Sequence, residues 1–355
     1  MRIVYVVPHN REWWARRWVW TFAATRYRAA IPARELVRRG HEVLLFEVRD
    51  PDPVARFPAG GVDAVVIGSS FDVRAEEIAA RARRSGARVV ADFCDHHFDD
   101  SKWVEHHRAL AEAADAVTVA TPALGRVIEQ RVGRDDWVVV DDPWECPAGE
   151  PRFDPDPAGP LACLWFGHHL NLPTLEAQLP RLHAWAGSRR PISLSVFTPR
   201  TRDVWHYLEK LRERLAPAID LVPVPWTPDG LPAALARADL VLLPSSHHPH
   251  RLAKSPNRPV EALHAGRFPL CWPLPSYLEL GELVRIGEDL ASGIEWCLRH
   301  PDEVRRRLVL ARELLPARFA PEVVAGRWEA ILAGRPVRQL PPTWRLSPAV
   351  PEPAS

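Results

Sequence analysis

The stretch DLVLLPSSHHPHRLAKSPNRPVEALHAG, residues 239–266, collects Ser245, Ser246, Lys254, Asn257, Arg258 and Glu261 between an apolar run and a run with helical spacing. A strand is predicted to end near Pro244 and a helix to begin near Arg258, so these residues fall at the carboxyl end of a strand. There, helix N-termini offer free N–H groups to anions. Lys254 as a point charge and Arg258 as a bidentate fork suit a diphosphate. An ionised Glu261 has two acceptor oxygens, enough for a ribose diol. The alternative is ordinary: Arg258 and Glu261 as an i,i+3 surface pair and Lys254 in solvent. Convergence on one strand end favours a ligand.

A second group follows another predicted strand, in VVADFCDHHFDD, with Asp92, Asp95, His96, His97 and Asp99. Here a histidine can orient an acceptor hydroxyl while a neighbouring carboxylate fixes its tautomer. Asp95 and His96 are the candidate catalytic pair. The competing reading is a histidine hydrogen-bonded within a packed loop. His106 and His107 lie nearby in sequence, but adjacent histidines diverge and the spacing matches no ligand pattern, so no metal and no cofactor is expected.

The elements that must hold these groups are strands alternating with helices. RIVYVV, HEVLLFEV, VDAVVIG, ARVVADF, DAVTVA and DWVVVDD are strand-like, and capped helical patterns such as DVRAEEIAARARRSG lie between them. Continuous Val/Ile runs between helices imply a parallel sheet covered on both faces. Prolines and acids replace this periodicity around DDPWECPAGEPRFDPDPAGP, which marks a linker. The alternation then restarts at LACLWFG. The expected architecture is α/β: two Rossmann-like, doubly wound parallel-sheet domains facing a central cleft. Residues 1–145 form the first, 146–160 the linker, 161–335 the second, with its last helix crossing back, and 336–355 a Pro-rich tail.

Composition narrows the partners. The 355 residues carry a net charge of +1, which gives no global field for nucleic acid. Cys94, Cys146, Cys163, Cys271 and Cys297 are scattered and never spaced as CxxC, as expected of a reducing, cytoplasmic setting. No apolar run approaches the length of a membrane span. The segment HNREWWARRWVWTFAATRYRAAIPA places Trp14, Trp18 and Phe22 four apart among Arg11, Arg16 and Arg17. As a helix over 11–22 this would make an interfacial stripe suited to anionic headgroups, or a stripe packed on its own domain. Arg26 and Arg28 either face the cleft, where Arg28 would meet a donor phosphate, or are solvated.

VEALHAGRFPL and the polar loop before it resemble the donor-nucleotide segment of retaining glycosyltransferases of the GT-B fold, the large group-1, family 4-like class. CLWFGHHLNLPTL is similar to the first glycine-containing loop of that class's C-terminal domain. The resemblance implies that the second domain binds a nucleotide-sugar donor and the first an acceptor, a glycan, lipid-linked or small molecule. It implies that Glu261 holds the ribose, that Gly167 lets backbone approach the donor phosphates, and that His168, Asn171, Ser245, Lys254, Asn257 and Arg258 line the donor site. Two positions depart from the class. Ala253 stands where a second glutamate usually touches the sugar, and His168, His169 and Asn171 replace the usual Arg and Lys after the first strand, leaving the phosphate role to Lys254 and Arg258. A nucleotide-sugar epimerase on the same fold and a non-catalytic nucleotide-sugar-binding protein remain open.

Overall fold

The computed structural model describes residues 1–8, 10–14, 17–48, 52–58, 60–68, 72–99 and 102–337. Two six-stranded sheets organise the chain, and every pairing within them is parallel. In chain order the strands are β1 (Arg2–Pro8), β2 (Arg11–Trp14), β3 (Arg17–Trp20), β4 (Glu42–Val48), β5 (Ala64–Gly68), β6 (Arg88–Phe93), β7 (Ala116–Val119) and β8 (Val138–Val139). They continue as β9 (Leu161–Phe166), β10 (Ile192–Thr198), β11 (Ile219–Pro225), β12 (Leu240–Leu243), β13 (Phe268–Cys271) and β14 (Arg285–Ile286). The first sheet runs β4-β1-β5-β6-β7-β8 and the second β11-β10-β9-β12-β13-β14. Central strands such as β5 and β12 are buried along nearly their whole length, because helices cover both faces. This is the α/β, two-sheet Rossmann-like architecture read from the alternation of apolar runs.

The last helix, Pro321–Leu332, lies on the first sheet although it follows the second. Trp328 is fully buried there and meets Tyr5 of β1 edge-on, with centroids 5.8 Å apart. Arg39 bonds Glu329 at 3.1 Å, and Arg88 donates to the Ile331 carbonyl at 3.0 Å. The two sheets are therefore joined twice, by the linker and by this helix.

The linker is packed, not a free spacer. Just before it Trp144 stacks on His264 at 3.9 Å, and within it Phe153 is buried in the second core. A Cβ at Gly149 would come within 2.2 Å of the Ala265 carbonyl oxygen, and one at Gly266 within 2.2 Å of the Glu150 carbonyl oxygen. Only glycine lets these two backbones cross so closely, and Gly266 also has a left-handed φ of +70°.

The segment after β1 departs from the sequence expectation. β2 and β3 form an antiparallel hairpin, with Arg11 opposite Trp20 and Trp14 opposite Arg17, so no helix runs over 11–22. Trp and Val favour strands, and the antiparallel pairing of the two segments removes any shared helical face. Trp14 and Phe22 are exposed. Arg16 and the side chain of Trp18 lie outside the described residues. The chain then passes through a π-helical turn, Arg26–Ala30, before the regular helix Ile31–Arg38. That turn buries Tyr27 and Arg28 beneath the junction of the two domains.

Candidate functional site

The second sheet reverses its winding between β9 and β12. From β9 the chain builds outward through β10 and β11, then returns to the other side of β9 as β12, β13 and β14. The crevice beyond the carboxyl ends of β9 and β12 is the topological switch point, where ligands of open α/β sheets bind. Gly167 follows β9, and the loop carrying Ser245, Arg251, Lys254, Asn257 and Arg258 follows β12. A Cβ at Gly167 would sit 3.5 Å from Nη1 of Arg258, so the bare backbone of one loop faces the guanidinium of the other. That Nη1 is buried and has no hydrogen-bond partner.

Arg251 reaches across the same crevice. Its Nη1 donates to Asn171 Oδ1 at 2.6 Å, and its Nη2 to the Leu170 carbonyl at 3.4 Å. Burial and the neighbouring Arg258 both push the Arg251 guanidinium below its ordinary pKa. Burial, His169 and Lys254 likewise hold His168 below the usual imidazole range. Positive charge is concentrated here.

The first domain supplies one carboxylate to this field. Asp95, just beyond β6, accepts a hydrogen bond from Lys254 Nζ across the cleft, with both side chains about half-buried. Burial raises the Asp95 pKa, but Lys254, His97 and His250 together bring it below the usual carboxylate value. For Lys254, burial acts downward and Asp95 more than reverses it. Further contacts close the domains on each other. Thr121 Oγ1 donates to the Ala253 carbonyl at 2.9 Å, Ser255 Oγ to Asp142 at 2.5 Å, and His250 Nδ1 to the His96 carbonyl. Ala253 itself is buried in the core of the first domain.

The structure thus brings Gly167, Asn171, Lys254, Arg258 and Asp95 together, with half-buried Asn257 at the start of the helix Asn257–His264. Ser245 is buried, and His168 is exposed with its ring against His169.

Three expectations need correction. Arg28 does not face the cleft: it is 2% exposed, grips Asp92 with Nε at 3.0 Å and Nη2 at 2.6 Å, and reaches Asp142 at 3.1 Å and the Val140 carbonyl. A guanidinium so fully paired has no fork left for a phosphate. His96 turns inward at 4% exposure, with Nε2 at 3.2 Å from Asp99 and Nδ1 accepting from the Phe98 N–H at 3.3 Å. The histidines beside Asp95 are His97 and His250 instead. Glu261 is 1% exposed, and both oxygens are engaged: Tyr27 Oη donates at 2.9 Å, Glu145 N at 2.5 Å and Cys146 N at 3.0 Å. In this conformation it ties the first domain and the linker to the second domain and offers no free oxygen to a ribose.

Sequence reasoning missed Arg251, His250 and Tyr27. Arg251 had a usable signal, since it is a third basic residue in the same polar loop as Lys254 and Arg258.

Two Rossmann-like sheets meeting across a cleft, with a polar cluster at the switch point of the second, define the GT-B architecture. No family model matches the chain, and no curated protein sequence matches it. Solved structures do. Anabaena HepE in complex with UDP superposes with TM-score 0.70 at 15% identity, over 94% of this chain and 100% of that one. A glycosyltransferase from Rickettsia africae gives 0.71 at 12%, over 94% and 98%. A trehalose-6-phosphate structure from E. coli bound with UDP-2-fluoro glucose gives 0.64 at 11%, over 93% and 98%. At such identities the likeness is one of fold.

Proposed function

We propose that the protein transfers a glycosyl group from a nucleotide-sugar donor to an acceptor hydroxyl without a metal. The observation that carries this reading is the convergence of Arg251, Lys254, Arg258 and the bare Gly167 loop on one switch point, opposite Asp95 of the other domain. In the reaction the bond from the anomeric carbon to the diphosphate oxygen breaks and its electron pair leaves with the diphosphate. A bond from that carbon to the acceptor oxygen forms as the acceptor proton passes to the Asp95 carboxylate. Lys254 and Arg258 would neutralise the charge that develops on the leaving group, the preorganised electrostatics such a departure needs. Once Lys254 turns to the phosphate, Asp95 is released toward the acceptor, with His97 and His250 beside it. The motif resemblance favours retention of anomeric configuration. That neighbours of the same fold hold UDP, UDP-glucose and UDP-2-fluoro glucose supports a donor of this class. A cytoplasmic location fits such a donor and five free thiols.

The test is incubation with a panel of nucleotide sugars, with and without candidate glycan, lipid-linked and small-molecule acceptors, following nucleoside diphosphate release. Acceptor-dependent release, with the product anomer assigned by NMR, supports transfer. Conversion of a donor to its isomer would replace this reading with epimerisation, and tight binding without turnover would leave a binding protein.

A further inference from the structure

We propose that Arg251 is a third diphosphate-binding cation, which supplies from the loop after β12 the positive charge that the loop after β9 lacks. The proposal rests on the nucleotide-sugar reading above and deepens it. The loop that leaves β9, GHHLNL, contains no lysine or arginine. Its positive charge arrives from across the switch point, because Asn171 and the Leu170 carbonyl hold one edge of the Arg251 guanidinium at 2.6 and 3.4 Å. A guanidinium has five N–H donors, and these two contacts leave the others available. Arg258, close enough to act on the Arg251 charge, has its own buried Nη1 unpartnered.

The charges explain why the arrangement calls for an anion. Arg258 is near enough to act against the charge of Arg251, and it also acts against that of Lys254. The carboxylate that answers these cations is Asp95, which accepts from Lys254 and, among the described residues, from neither arginine. Like charges assembled on a half-buried surface repel, and the repulsion turns into affinity when a multiply charged anion enters. Two guanidinium forks and an ammonium facing glycine backbone suit two linked phosphates, which present several oxygens in pairs. A single carboxylate would use only one fork.

Calorimetric titration of the full chain with inorganic diphosphate, and separately with UDP, GDP and uridine, tests this. Arg251→Ala should weaken diphosphate binding about tenfold or more and weaken the preferred nucleoside diphosphate similarly, while leaving any uridine binding unchanged. Arg251→Lys should recover only part, since an ammonium cannot reproduce the fork. Asn171→Ala, which frees the guanidinium without removing it, should fall between wild type and Arg251→Ala. The unliganded melting temperature of Arg251→Ala should stay level or rise, as a repelled cation has been removed. If Arg251→Ala binds diphosphate as wild type does while Arg258→Ala loses it, Arg251 has no such role and the donor reading stands. If the wild-type protein binds neither diphosphate nor either nucleoside diphosphate, the donor reading itself falls, and this proposal with it.

Discussion

Glu261 shows how far a residue's role depends on what packs against it. Its type and position on the helix suit a ribose acceptor, and on that basis Glu261→Ala should weaken nucleotide binding and spare stability. The structure reverses the expectation. Burial pushes the Glu261 carboxyl up, and the backbone N–H groups of Cys146 and Glu145 with the Tyr27 hydroxyl act to hold it ionised. Truncation to alanine strands three buried donors, each costing about 1–3 kcal/mol when left unpaired. Glu261→Ala should therefore lose about 3 kcal/mol or more in urea denaturation, and Glu261→Gln, which keeps one acceptor oxygen, markedly less. Equal stability of the alanine variant and wild type would return Glu261 to the ligand. Arg28 makes the same point more strongly. Removing it leaves Asp92 and Asp142 buried and facing each other, so Arg28→Ala should cost about 3–5 kcal/mol or prevent folding, whatever ligand is present.

Among the elements, the helix Asn257–His264 ends on a histidine whose surroundings make it a pH sensor for the linker. His264 stacks flat on Trp144, and burial together with Arg312 lowers its pKa to about 4. The unfolded chain takes up that proton near the ordinary pKa of about 6.5. Between these values the unfolded state binds more protons, so stability falls as pH drops from about 6.5 toward 4. Phenylalanine keeps the stack and cannot be charged. His264→Phe should therefore lose less stability than wild type between pH 7 and pH 5 in parallel denaturant titrations, and identical losses would place the sensitivity elsewhere. Element identity itself was readable where chemistry was local. The Val-, Ile- and Leu-rich runs of β1, β5, β6 and β12 announce buried parallel strands, and Thr121, Asp72 and Thr201 cap helices as their types suggest. The hairpin of β2 and β3 was not readable, because Trp at four-residue spacing satisfies a helical stripe as well as a strand until the turn is seen. Nor was the π-helical turn at Arg26–Ala30, which has no sequence signature and decides that Tyr27 and Arg28 point inward. The cluster after β12 was legible as a cluster. Its cross-domain pairings were not, since Asp95 meets Lys254 and Thr121 meets the Ala253 carbonyl only through the placement of one domain on another.

At the scale of the whole molecule, the described conformation is closed by contacts that the ligand site itself supplies. Lys254 is held by Asp95, Ser255 by Asp142, and the Ala253 carbonyl by Thr121, so the loop that would receive a diphosphate is also the loop that grips the first domain. Asp95 then has two effects of opposite sign. In the proposed reaction it would be a tethered anion competing for Lys254 before a donor arrives, and the acceptor-side carboxylate once displaced. The pair is about half-exposed, so its worth is that of a screened surface bridge, below about 1 kcal/mol, which corresponds to a few-fold in affinity. Asp95→Asn keeps the shape and removes the charge. It should tighten inorganic diphosphate binding roughly two- to fivefold and at the same time lower acceptor-dependent transfer, a split that a merely structural residue would not produce. The competition also depends on pH. The folded carboxyl lies below its ordinary value, so the tether is intact above the usual carboxylate range and is lost as pH falls through the folded pKa. The advantage of Asp95→Asn over wild type in diphosphate binding should accordingly shrink as the solution is acidified through that range. An unchanged or weakened affinity in Asp95→Asn at neutral pH would mean that Lys254 is not being held in reserve, and the closed form would have to open by some other contact.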